Sequence, residues 1–275
     1  MRILNFKVAT MTLLRFMLLA FVIALQPVPT AIASVTEAIT AAQYLTPVDR
    51  YGHFALGRPH EYASITVTTN TGRTLMLTLP GNEVFEDITP RIVKLAANEP
   101  DELLTIVSRV DSGARLVLIQ LRNGALEISA QSSAIGTPMR WLNPVGVADL
   151  DGDGRAEIAA VITPHIGGML KVYRRQGKDL IEFTALSGFS NHLYGSSELA
   201  LSILIQIKGR THLLVPDTAR RQLRIIALEN GRLVEAGRCQ LPSPVIGPMR
   251  LISPTEVSIG LLAGSKVIVA NQCLN

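Results

Sequence analysis

Apolar residues in this chain come in short runs separated by turns, and no stretch shows helix-length amphipathic periodicity. Four turns share one form, a turn glycine followed by apolar residues and then Glu. They are residues 80–86 (PGNEVFE), 123–127 (NGALE), 176–182 (QGKDLIE) and 230–235 (NGRLVE). Their glycines, Gly81, Gly124, Gly177 and Gly231, are spaced by 43, 53 and 54 residues. A strand-like run precedes each turn, at 73–79, 115–121, 170–175 and 223–229. Two such runs around an x-Gly turn predict a β-hairpin. A further strand is predicted ahead of each hairpin, at 63–69, 103–110, 157–163 and 211–216. Other short runs, such as 91–96 and 145–150, fall between the units.

Four strands per unit at a period of roughly 45–55 residues is the sequence mark of β-propeller blades. Regular alternation with helices is missing, which disfavours a doubly wound sheet. The chain ends on three predicted strands, near 249–253, 256–262 and 266–271, whereas residues 35–39 (VTEAI) resemble an isolated fourth strand. The expectation is an all-β, five-bladed propeller of four-stranded blades over residues 34–275. Its N-terminal strand would complete the last blade and remove exposed edges. A short helix over residues 35–45 is the alternative. The recurring Glu37, Glu86, Glu127, Glu182 and Glu235 are expected on outermost strands, where charge discourages edge-to-edge pairing.

The first 33 residues have a different pattern. Arg2, Lys7 and Arg15 precede an apolar run, residues 16–25, that is too short to span a bilayer. Pro27 and Pro29 break it, and Ala31-Ile32-Ala33 is a small-residue cleavage site. Residues 1–33 therefore read as a secretory signal, with Met11 as an alternative start and an uncleaved anchor as the competing reading. The mature protein is expected to be periplasmic or extracellular, without stable membrane insertion.

This changes the charge. The whole chain carries a formal +4 and a pI near 9.3. Removing three basic and no acidic residues leaves +1. No basic run remains, so nucleic acid is not an expected partner, and Arg220, Arg221 and Arg224 read as a solvated strand end. Aromatic residues make up only 5% of the chain, so stacking platforms are scarce. Two cysteines in an exported chain suggest a Cys239–Cys273 bond. Strand alternation, however, directs Cys239 and Cys273 to opposite rims, which leaves the pairing open.

The chemistry concentrates in residues 149–157 (DLDGDGRAE). Asp149, Asp151 and Asp153 occupy loop positions one, three and five. Arg155, at seven, would offer its carbonyl, and Glu157, at nine, a fourth carboxylate. Gly152 and Gly154 permit a tight turn. Ca²⁺ takes six to eight hard oxygen ligands, and this set with water reaches that number. An EF-hand would need Glu at the twelfth position, which is Ala160, and both flanks are β-like. An acidic turn that binds no metal is the competing reading.

Residues 145–158 (VGVADLDGDGRAEI) resemble the FG-GAP/VCBS-type repeats found in integrin α-chain propellers and many exported bacterial proteins. The resemblance implies a Ca²⁺ loop between the first and second strands of a blade. Asp149, Asp151, Asp153, the Arg155 carbonyl and the ninth residue would be its ligands. That ninth residue is usually Asp, and Glu157 departs from the pattern. The motif covers one blade.

No nucleophile elbow, zinc-protease helix or Walker loop occurs. His53, His60, His165, His192 and His212 are scattered and read as turn or surface residues, with convergence on a central channel as the alternative. Residues 165–168 read as a turn, and Trp141 as packing between blades. The favoured function is a non-catalytic, monomeric binding or scaffold module for a protein or glycan. The alternative is a propeller hydrolase or lyase acting on an extracellular polymer. A convergent pocket with a His–carboxylate pair would favour the second.

Overall fold

A computed structural model describes residues 36–274. The signal segment, residues 1–33, and its cleavage site lie outside the described residues. Strands account for nearly all regular structure among the described residues, in five consecutive groups. The first comprises β1 (Ile39–Val48), β2 (Glu61–Thr69) and β3 (Thr74–Thr78). In the second, β4 (Glu83–Phe85) and β5 (Arg91–Val93) lie end to end along β6 (Glu102–Arg109), followed by β7 (Gly113–Arg122) and β8 (Ala125–Ser132). The third is the meander β9 (Leu142–Ala148), β10 (Glu157–Ile162), β11 (Gly168–Gln176) and β12 (Asp179–Phe189). The fourth is the meander β13 (Ile203–Ile207), β14 (Arg210–Pro216), β15 (Gln222–Glu229) and β16 (Arg232–Gln240). The last has three strands, β17 (Val245–Ser253), β18 (Glu256–Leu261) and β19 (Gly264–Val269).

Thin connections join the first three groups into one sheet of 12 strands. They are the Tyr62–Phe85 pair between β2 and β4, and a short parallel contact of Asp179 and Leu180 with Gln131 and Ser132. The other groups form sheets of 4 and 3 strands, and none of the sheets closes on itself among the described residues.

The apolar runs are continuous rather than alternating because the groups pack face to face. Successive side chains on a strand point to opposite faces. Leu103 and Val107 of β6 pack with Ile65 and Val67 of β2, whereas Leu104 and Ile106 pack with Ile158, Ala160 and Ile162 of β10. The other face of β10, Ala159 and Val161, meets Leu213 and Val215 of β14. Leu214 of β14 turns to Val257 and Ile259 of β18. Ile225 and Ile226, adjacent on β15, divide in the same way, opposite an extra residue that a register shift places on β16. Ile225 joins the cluster toward β18 and Ile226 the one toward β10. Full burial of one such aliphatic side chain contributes about 1.5–3 kcal/mol. Trp141 is buried between the second and third groups, as its place in the sequence suggested.

Three of the four expected hairpins form. Arg122 pairs with Ala125 around Asn123-Gly124, Gln176 with Asp179 around Gly177-Lys178, and Glu229 with Arg232 around Asn230-Gly231. Asn123, Gly124, Asn230 and Gly231 all have positive φ, as required by turns whose twist matches the flanking strands. The turn at Gly81 does not close a hairpin. β3 and β4 both pair with β2, and residues 79–82 step between them before β4 passes to β6.

The N-terminal strand also differs from expectation. β1 pairs with β2 from Ile39 opposite Thr69 to Val48 opposite Glu61, and the last sheet keeps three strands. Pairing with the neighbouring β2 buries Ile39 and Tyr44 in the first apolar cluster, a local solution that needs no return across the molecule.

Cys239 and Cys273 form a disulfide, with their Cα atoms 5.0 Å apart. Strand alternation failed as a guide because a 3₁₀ turn, Ala270–Cys273, carries the tail past β19 and back against β16. Gly237 permits this approach, since a Cβ there would lie 2.1 Å from the Cys273 carbonyl oxygen. The bond is consistent with an exported protein. Among the described residues no helix is long and apolar enough to cross a membrane.

Candidate functional site

The acidic loop joins β9 to β10, where Ala148 pairs with Glu157. Its own amides hold the carboxylates in place. Asp149 Oδ1 accepts from the Gly152 amide at 2.6 Å, and Asp149 Oδ2 from the Gly154 amide at 2.9 Å. Asp151 accepts from the Asp153 amide at 3.2 Å, and Asp153 from the Arg155 amide at 2.8 Å. Gly152 and Gly154 both have positive φ, which lets the chain fold around Asp149. The result brings one oxygen from each of Asp149, Asp151 and Asp153 within 4.8 Å of the others. Three hard anionic oxygens at this spacing can hold a metal ion, which would offset their mutual repulsion.

Glu157 is not part of this trio. As the first residue of β10 it is 1% exposed. It accepts from the Leu150 amide at 2.9 Å and from Arg174 at 2.9 Å. Burial raises its pKa, and the Leu150 amide works against that shift. Arg174 also pairs with Asp151 and lies 3.7 Å over the Phe183 ring. The Arg174 guanidinium thus supplies positive charge on the inner side of the loop, a role with no motif to announce it. The Arg155 side chain turns outward to Glu99 at 3.1 Å.

A second site forms elsewhere, from segments that are far apart in the chain. After β1, residues 51–60 bring His53 over Glu86, which follows β4. His53 Nδ1 lies 2.6 Å from Glu86 Oε1, and Ser108 donates to the other carboxylate oxygen. Glu86 is 1% exposed, a correction to its expected place on an outer strand. Its backbone is tied to the buried Trp141, whose Nε1 donates to the Glu86 carbonyl at 2.8 Å. Burial raises the Glu86 pKa against the opposing pull of His53 and Ser108. Burial, and then the Glu86 charge, push the Tyr51 pKa up to about 12. Glu235 lies on β16, the edge of its sheet, whereas Glu127 on β8 and Glu182 on β12 lie on strands that pair with one another inside the 12-stranded sheet, against their expected outer placement. The three sit beside Arg224, Arg122 and Lys171. Glu37 precedes β1 and binds Arg73 at 2.7 Å.

His165, in the β10–β11 turn, and His192, after β12, complete the arrangement. His165 Nε2 lies 2.7 Å from His192 Nδ1, and His192 Nε2 lies 2.9 Å from the Ser196 carbonyl oxygen. Burial pushes both pKa values down to about 4, and for His165 the neighbouring His192 adds to the effect. Trp141 stacks parallel to His165, with ring centres 6.1 Å apart. Tyr194 stands edge-on to both His53 and His165 and donates to the His53 carbonyl at 2.7 Å. Between them opens a cleft of 130 Å³ lined by His53, Trp141, Thr163, His165, Ile166 and Tyr194, with Met139 and Arg140. Three of the five histidines therefore converge, contrary to their reading as separate turn residues. His60 and His212 stay apart, bound to Tyr62 and to the Arg210 carbonyl.

The basic group near the β15 start is also more than a solvated end. Arg224 lies 4.1 Å over the Phe189 ring and pairs with Glu235, and Arg220 donates to Ser190. The available sequence signal for the cleft was strand parity. In an up-and-down meander, the connectors after β8, β10 and β12 fall on the side opposite the β9–β10 loop. No family model matches this chain, and no curated protein matches it.

Proposed function

We propose that this chain is an exported, calcium-binding β-propeller of the FG-GAP/VCBS type that serves as a non-catalytic binding module for a protein or glycan. The observation that carries the reading is the convergence of Asp149, Asp151 and Asp153 in a connection between the first and second strands of a four-stranded meander. That is where the resemblance expects a Ca²⁺ loop. The serial face-to-face stacking supports the propeller architecture. So does the placement of first strands, with β9 beside β13 and β13 beside β17, as around a common axis. The Asp149, Asp151 and Asp153 carboxylates would hold the ion, whose role is to stabilise the turn. Thermal denaturation of Asp151→Ala against wild type tests this. Wild type should gain about 1–3 kcal/mol in saturating Ca²⁺, and the variant should gain nothing. A wild type indifferent to Ca²⁺ overturns the calcium assignment. Partner capture from the native envelope with and without Ca²⁺ tests the module role.

One observation favours a second reading, a propeller hydrolase or lyase. The His53–Glu86 pair beside a cleft is the arrangement of an oriented general base. New reducing ends or new double bonds released from an envelope polysaccharide by wild type, and not by His53→Ala, would establish it.

A further inference from the structure

The hydrogen bonds around the cleft define the tautomers of its histidines. The Ser196 carbonyl oxygen can only accept, so His192 Nε2 carries the hydrogen there and the neutral ring accepts at Nδ1. His165 must then donate from Nε2, which leaves His165 Nδ1 with its lone pair and no protein partner among the described residues. Glu86 accepts from Ser108 and from His53 Nδ1, so in the tautomer with its hydrogen on Nδ1 the His53 ring keeps Nε2 as an acceptor with no protein partner among the described residues. In these tautomers two imidazole acceptors, on residues that both line one cleft, have no protein donor among the described residues. The remaining wall is largely apolar, from Met139, Trp141, Ile166 and Tyr194. Met139, Ile166 and Tyr194 are exposed at the rim, Tyr194 at 62%.

We propose that this cleft is a binding site for a phenolic ring, which would fill the apolar space and donate its hydroxyl hydrogen to His53 Nε2 or His165 Nδ1. The size fits, since an apolar cavity of about 150 Å³ accepts a benzene ring and the cleft measures 130 Å³. The donor requirement fits as well, because an apolar ring alone would leave both imidazole acceptors covered and unpaired. A sugar ring fits less well, as it would press several hydroxyl groups against apolar walls. The phenol could come from a free small molecule or from a tyrosine side chain of a partner. The inference goes beyond the module reading and stands whether or not the Asp149–Glu157 loop takes Ca²⁺.

Trp141 is the only tryptophan of the chain and lines the cleft, so its fluorescence reports occupancy. Full-length mature protein is titrated with p-cresol, with toluene as the ring lacking the hydroxyl, and with the peptide Gly-Tyr-Gly. Saturable binding of p-cresol about ten-fold tighter than toluene is expected, the equivalent of one hydrogen bond. In His53→Phe or His165→Phe that preference should fall, with toluene binding retained. Nitrogen NMR of the wild-type imidazoles provides a readout independent of the variants' folding, because the acceptor nitrogen should shift on addition of p-cresol and not of toluene. Gly-Tyr-Gly binding as tightly as p-cresol would identify a protein segment as the source, and weaker peptide binding a free phenol. Equal affinity for p-cresol and toluene, or no saturable response to either, overturns the proposal.

Discussion

The aspartate loop and the histidine cleft reach function-bearing geometry by opposite routes. The loop is nine consecutive residues whose three aspartate carboxylates are held by amides two to five positions away. The cleft draws on segments from His53 to Tyr194, and its polar atoms are oriented by partners such as Glu86, Ser108 and Ser196 that belong to different strands and connectors. A local site keeps its shape through short-range hydrogen bonds and faces water. An assembled site exists only while the sheets pack, so its ionisable groups bear the cost of burial. The loop should therefore tolerate substitution with little effect on folding, whereas the cleft should couple directly to stability.

The largest test of this contrast is Glu86→Ala. It leaves His53 and Ser108 without their buried acceptor, and stability should fall by roughly 3 kcal/mol. A denaturant titration that finds less than about 1 kcal/mol would show that the cleft is not integral to the core. A smaller effect comes from pH. The native pKa values of His165 and His192 lie near 4, below the ordinary 6.5. As the pH falls from 6.5 toward 4 the unfolded chain takes up protons that the native protein refuses, so stability declines across that window. The shift is equivalent to roughly 3 kcal/mol for each histidine. Solvent screening of the partly exposed His165 ring, together with the opposing Glu86 carboxyl, reduces the expected loss to roughly 2–3 kcal/mol in all. The raised pKa of Glu86 acts in the opposite sense, because protonating that carboxyl relieves its burial. A His165→Gln/His192→Gln double variant should therefore lose less stability than wild type between neutral pH and pH 4. Equal slopes would contradict the buried, neutral histidine pair. The smallest effect belongs to the loop. Asp153 is exposed and, among the described residues, accepts from the Arg155 amide alone. In chelator, Asp153→Ala should change stability by less than about 0.5 kcal/mol. A larger loss would mean that this loop too is part of the folding core.

Legibility followed the same division. The hairpins at Gly124, Gly177 and Gly231 were readable because two-residue turns with positive φ demand Gly and Asn in fixed places. The turn at Gly81 looked the same but served a different connection, since nothing local records that β2 has room for both β3 and β4 on one edge. Asp149, Asp151 and Asp153 were found from spacing alone. Glu157 belonged to the same pattern, yet its place at the start of β10 turns it toward Leu150 and Arg174. Arg174 went unnoticed because it lies 17 residues beyond its partner and enters only through the pairing of β10 with β11. His53, His165 and His192 carry no mutual spacing that a motif could capture.

The chain alone determined that this protein is all-β, where most of its strands turn, and which three aspartates meet. Each of these depends on side-chain size, backbone freedom or charge within a few residues. Only the tertiary structure decided that β1 joins β2, that the tail turns back to link Cys273 to Cys239, and that Glu86 lies beneath His53. Those outcomes depend on which apolar faces cover one another and on which polar atoms that packing leaves to find partners, and both are settled between residues remote in sequence.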